Sequence, residues 1–310
     1  MTNGNRIKGL IMVTCGASLW GLSGTVAQHL FQNDNISMPW LVTTRLLISG
    51  ILLILIASLG SNRRNVWSVW KDSKLVFKLI LFGLFGMLGV QFTYFASINE
   101  GNAAVATLLQ YLAPVFIILF FVFYKKVLPR WLDWIGVSLA LIGTFLLLTN
   151  GNIEELTVST PAIVWGILSG VTLAFYTLYS GSLIKELGST IVVGWGMIIG
   201  GICMNFFVHP IWDTNVTSWI SLTTVYIAFV VIFGTLIAFY MYLESLKYIS
   251  PTETSLLGCS EPIAAVISSV VWLNIAFETF QIIGALSILL MIVLISLKKE
   301  NNNQTQSFSI

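Results

Sequence analysis

Glu261 and Arg45 stand out because each lies deep inside an apolar run. A carboxyl group can take up and release a proton, and a guanidinium can hold an anion in a planar fork. In "LLGCSEPIAAVI" (256–267) the acid is followed at once by Pro262. That proline lacks a backbone donor and frees a carbonyl one turn back. An ionisable group at the centre of a bilayer costs about 2.5–3.5 kcal/mol on insertion scales, so it faces a cavity, a partner or a pathway. Two readings of Glu261 stay open: a group of a substrate or proton pathway, or a hydrogen-bonded lock between helices. Arg45 likewise either snorkels or pairs with a carboxylate, or serves as counter-ion to an anionic substrate.

Other chemistries find little support. "GLSG" (21–24) offers Ser23 as a nucleophile, but a base is needed at the same depth. The two histidines, His29 and His209, fall at the outer ends of apolar runs, where they read as interfacial. Zinc-protease HExxH and phosphate-loop GxxxxGK[ST] patterns are both missing from the sequence. Cys15, Cys203 and Cys259 sit singly in apolar stretches and read as small buried residues. Neither a metal nor a cofactor is expected, and a net charge of +2 gives no footprint for nucleic acid.

The elements that position these groups follow from composition. Of 310 residues, 56% are hydrophobic and 9% charged, too few charges to clothe a soluble protein of this size. Ten runs are long enough to cross a bilayer as helices: about 9–29, 38–59, 76–98, 102–124, 131–149, 161–184, 189–209, 219–244, 251–273 and 279–297. With the amino terminus cytoplasmic, fourteen of the fifteen Lys and Arg fall on the cytoplasmic side, leaving only Arg45 within a span. Glu244 and Glu253 lie near that side, beside Lys247, and read as solvated or salt-bridged. The expectation is an all-α integral membrane protein of the cell membrane, multi-pass, with N- and C-termini cytoplasmic. Residues 299–310 form a polar tail.

The chain repeats itself. "YFASINEGNAAVATLLQYLAPVFIILFF" from Tyr94 aligns with "YLESLKYISPTETSLLGCSEPIAAVISSVV" from Tyr242 at a constant offset of 148. Pro114 meets Pro262, Thr107 meets Ser255, and Ala113 takes the place of Glu261. "RLLISG" (45–50) likewise matches "GMIIGG" (196–201). Five spans in each half is an odd number, so the second half enters the membrane from the opposite face. Two inverted five-helix repeats, 1–150 and 151–298, are the usual construction of an alternating-access transporter with its site near the midplane.

Polar and aromatic faces mark the wall of such a site. Ser250, Thr254, Gly258, Glu261, Ala265 and Ser268 recur at helical spacing in the ninth span, as Ala103, Thr107, Gln110 and Pro114 do in the fourth. Trp20, Gln91, Tyr94, Tyr176 and Tyr240 add side chains suited to an amphipathic metabolite or, through ring faces, a cation. Pro114 and Pro262 are the candidate hinges.

In order and duplication, "ASLWGLSG", Arg45, "LLQYLAPVF", "SEPIAAV", "DWIGVSLALIG" and "FQIIGALSILL" resemble the EamA family of the drug/metabolite transporter superfamily over nearly the whole chain. The resemblance implies a secondary transporter, not an enzyme. Its substrate would be a small metabolite such as an amino acid, moved outward, with membrane lipid as its surroundings. Import of a small cation or zwitterion is the alternative, and an intramembrane serine hydrolase built on Ser23 is the rival from another class. A homodimer is neither required nor excluded. The glutamate that family members often carry just after the fourth and ninth spans has no counterpart in "YKKVLP" and "WLNIAF".

Overall fold

The structure, a computed structural model, describes residues 3–59, 63–126, 128–152, 154–207 and 221–296. His209, Asp213 and the tail from 299 lie outside the described residues. Among the described residues, ten helices are long and apolar enough to cross a membrane, one for each expected span. They are α1 (Asn3–Gln32), α2 (Met38–Leu59), α3 (Ser73–Glu100), α4 (Ala103–Phe123) and α5 (Trp131–Thr149). The second five are α6 (Thr160–Leu187), α7 (Ser189–Phe207), α8 (Leu222–Ser245), α9 (Pro251–Leu257 continued by Ser260–Val271) and α10 (Thr279–Ser296).

Helix starts are written in local chemistry. Asn102 accepts from the Val105 amide at 2.9 Å and starts α4. Ser250 and Glu253 form a reciprocal capping box at the start of α9, with Pro251 in its first turn. The exits of these two helices also correspond. Lys126 and Asn274, 148 residues apart, both adopt left-handed backbone, at φ 56° and 53°.

In lipid, helices associate by close packing and interhelical hydrogen bonds, not by hydrophobic drive. The α5–α10 pair shows the first: a Cβ on Gly143 would meet the Gly284 carbonyl at 2.8 Å. At the end away from the termini, α1 shows the second. The Gln28 side-chain amide oxygen accepts from the Ala103 backbone amide at 2.9 Å, the Gln32 side chain donates to the Gly101 carbonyl at 3.1 Å, and Thr25 meets Ser268 at 2.7 Å. There the first segment of α4 packs on the second segment of α9, and the bundle is closed.

The end that carries the termini is built differently. The second segment of α4 packs on α6 and α5, while the first segment of α9 packs on α1 and α10. Among the described residues these two segments do not form a packed pair, and the halves are joined at this end by α1, which packs on α8 and α9. Arg6 of α1 pairs with Glu253 of α9 at 2.8 Å, and Lys247 pairs with Glu244 at 2.7 Å at the end of α8, as the salt-bridged reading of both acids expects. Of the three cysteines only Cys259 is buried; Cys15 is exposed, in contrast to its reading as a core residue.

Candidate functional site

Two helix breaks face each other across the middle of the bundle. Pro114 cannot donate, and its ring displaces the carbonyl of Gln110, so α4 interrupts at Tyr111 and Leu112. Pro262 does the same to Gly258, and α9 interrupts at Gly258 and Cys259. In each break an amide turns back three residues instead of four: Leu112 to the Leu109 carbonyl at 3.1 Å, Glu261 to the Gly258 carbonyl at 3.0 Å.

One side chain joins the breaks. The Tyr111 hydroxyl, from the first, lies 2.9 Å from the Gly258 carbonyl and 2.9 Å from Oε2 of Glu261, both in the second. A phenol has a single proton, so it donates to only one of these acceptors at a time. Helix α1 closes the arrangement from the side. A Cβ at Gly21 would run into the Glu261 carbonyl, so glycine is what lets α1 lie against this turn.

Around Glu261 the structure gathers Arg45 and Tyr94, which were singled out in the sequence, with Tyr111 and Tyr242, which were not. All four lie within electrostatic reach of its carboxylate. Tyr94 donates to or accepts from Thr107 at 2.9 Å. Trp20 packs on Phe239 and Tyr242 with ring centroids 4.8 and 5.0 Å apart, its indole N–H buried with no partner. Tyr176 lies against Phe82 at 5.0 Å. Gln91 and Gln110 are buried, and among the described residues neither side-chain amide has a hydrogen-bond partner.

Arg45 is 3% exposed and pairs with no carboxylate among the described residues. Its guanidinium lies over the Phe95 ring, 4.4 Å from the centroid. Nε donates to Thr235 Oγ1 at 3.0 Å, Nη2 reaches the Gly234 carbonyl at 3.5 Å, and Nη1 is buried without a partner. Those acceptors belong to a π-helical stretch of α8, Phe229–Ile237, matched in α3 by Phe82–Leu88. Such i→i+5 turns occur mostly as interruptions in α-helices and often at functional sites.

Two candidates stand apart. Tyr240 is 41% exposed, within reach of Lys8 and Lys247 at the terminal end. Ser23 donates back to the Trp20 carbonyl at 2.9 Å and packs against Gly234. His29, the one histidine among the described residues, stacks on Trp272 at 5.2 Å and meets Tyr226 edge-on. "GLSG" therefore serves close packing of α1 on both α9 and α8.

A model of the EamA-like transporter family matches the chain twice, over residues 7–149 and 160–297. The chain belongs to the EamA-like transporter family. It is 34% identical over 296 residues to the uncharacterized inner membrane transporter YicL of Salmonella typhimurium, covering 95% of this chain and 97% of that protein. It is 29% identical over 193 residues to the riboflavin transporter ImpX of Fusobacterium nucleatum, covering 59% of this chain and 61% of that one. A solved crystal structure superposes with a TM-score of 0.61 at 19% identity, covering 96% and 98% of the two chains, a likeness of fold alone. Within this EamA-like chain, Tyr111 and Tyr242 are functional candidates that residue-by-residue reading passed over. The repeat held the signal for Tyr242, since it pairs with Tyr94 and both face Glu261.

Proposed function

We propose that the protein is a secondary active transporter of the cytoplasmic membrane, exporting a small amphipathic metabolite by alternating access between two inverted five-helix repeats. The observation that carries this reading is the Tyr111 bridge from the break of one half to Glu261 and Gly258 in the break of the other. When Glu261 is ionised, the single Tyr111 proton serves either the carboxylate or the Gly258 carbonyl. When Glu261 is protonated, it donates to Tyr111, which donates onward to Gly258, and both contacts hold together. Proton binding thus changes the junction between the halves from one charge-assisted contact at a time to two neutral contacts held together. That is a differential contact of the kind a two-state equilibrium needs.

Further support comes from the asymmetry of the bundle, in which α4 packs on α9 at the end away from the termini but not at the terminal end. With the termini cytoplasmic, as the distribution of Lys and Arg favours, this conformation faces inward. The aromatic walls of Trp20, Phe239 and Tyr242 suit a substrate with a flat apolar part. The relative named as a riboflavin transporter agrees with a planar substrate.

The test is Glu261→Gln, with purified protein in liposomes and a metabolite panel, with and without a pH gradient. The amide keeps size and can donate to Tyr111 but cannot release a proton. We expect a folded protein whose stimulation by the gradient falls by about 5–150-fold, the range of a coupling free energy of 1–3 kcal/mol. Wild-type transport with a wild-type pH profile in this variant rejects the proton role and leaves Glu261 as a helix lock.

A further inference from the structure

We propose that a cavity at the terminal end, between α3, α4 and α6, is a binding site for one acidic phospholipid. Its volume is 520 Å³, within the range of sites that hold small ligands. Two helix stripes, each at a spacing of four residues, form facing walls: Phe116, Phe120 and Tyr124 of α4, and Val171, Phe175 and Tyr179 of α6. Each wall is stiffened by its own stacked pair, Phe120 on Tyr124 at 5.2 Å and Phe175 on Tyr179 at 5.0 Å. The interior is therefore an apolar slot.

The lining includes Lys78 and Lys125 and no acidic residue. Lys125 follows the last turn of α4, and its ammonium sits 5.6 Å from the Tyr124 ring centroid. An apolar slot with a doubly cationic lining matches an acyl chain joined to a phosphate, and basic pockets between membrane helices bind acidic headgroups by this logic. Val171 in the lining is 41% exposed, so the cavity communicates with the surface of the bundle. Glu261, Arg45 and Tyr111 take no part in the lining, so the site is separate from the cluster at the helix breaks.

The experiment is native mass spectrometry of the full chain released from detergent micelles containing equal amounts of phosphatidylglycerol and phosphatidylcholine. Near a membrane surface each lysine is worth about fivefold in affinity for an acidic lipid, so about 25-fold preferential retention of phosphatidylglycerol is expected. Lys78→Gln with Lys125→Gln should abolish the preference. Ala174→Phe, which fills the slot and keeps both lysines, should lose retention of either lipid; Val171→Trp serves if that variant does not fold. Preference that survives the lysine changes, or retention unaffected by filling the slot, overturns the site in favour of general boundary lipid. Displacement of the lipid by equimolar glycerol 3-phosphate, which has the headgroup chemistry without tails, overturns it in favour of a free-anion site.

Discussion

The two π-helical stretches occupy equivalent places in the repeat, yet they are held by opposite means. In α8, "FGTL" (233–236) lies against α2, and in α3, "FGML" (85–88) lies against α7. Ser49 of α2 donates to the Val231 carbonyl at 3.0 Å, and Arg45 to Thr235 and the Gly234 carbonyl. Their repeat counterparts in α7 are Gly200 and Gly196. A Cβ on Gly200 would meet the Gly83 carbonyl at 3.1 Å, and one on Gly196 would meet the Phe82 ring at 2.8 Å. Gly83 is the counterpart of Val231, so the same carbonyl is satisfied by a hydroxyl in one crossing and approached by bare backbone in the other. A duplicated architecture preserves where helices cross and leaves open whether the crossing is bonded or merely close. The buried charge was placed on one side only, as it was at the breaks, where Glu261 faces Ala113 in the alignment.

The sharpest way to break this comparison is to crowd the bare crossing. Gly200→Leu should cost about 3 kcal/mol, the upper end for overpacking, because the neighbour is backbone that cannot give way. It should appear as a loss of folded protein in a detergent thermal-stability assay. A Leu variant as stable as the parent would show that α3 and α7 are not closely packed there. In the bonded crossing, Arg45→Lys keeps the charge and loses the planar fork over Phe95, with its two donors. The expected loss is about 1.5–3 kcal/mol, the worth of hydrogen bonds from a charged group. If stability holds while transport in liposomes is abolished, the guanidinium acts on the substrate and not on α8. Ser49→Ala is the smallest of the three. Interhelical hydrogen bonds in membranes average about 0.6 kcal/mol, so a shift of only a few degrees in melting temperature is expected. A loss matching that of Arg45→Lys would mean that the Val231 carbonyl, not Thr235, anchors the π turn.

The sequence by itself determined the ten helices, because a bilayer admits a spanning segment only if it is helical, apolar and about 20 residues long. It also exposed the repeat and the two prolines, and marked Glu261 and Arg45 as charges that lipid alone would not tolerate. The tertiary structure decided what each of these does. Tyr111 bridges the breaks because α4 and α9 meet at their interruptions, a distance of 147 residues along the chain between Tyr111 and Gly258. Arg45 found a hydroxyl and a carbonyl instead of a carboxylate, both presented by the π-helical stretch of α8. On α8, Tyr242 faces Glu261 while Tyr240, two residues earlier and so on the opposite face of the helix, lies exposed. Which of these faces meets the site is set by the helices that pack around α8, and a single segment does not register that.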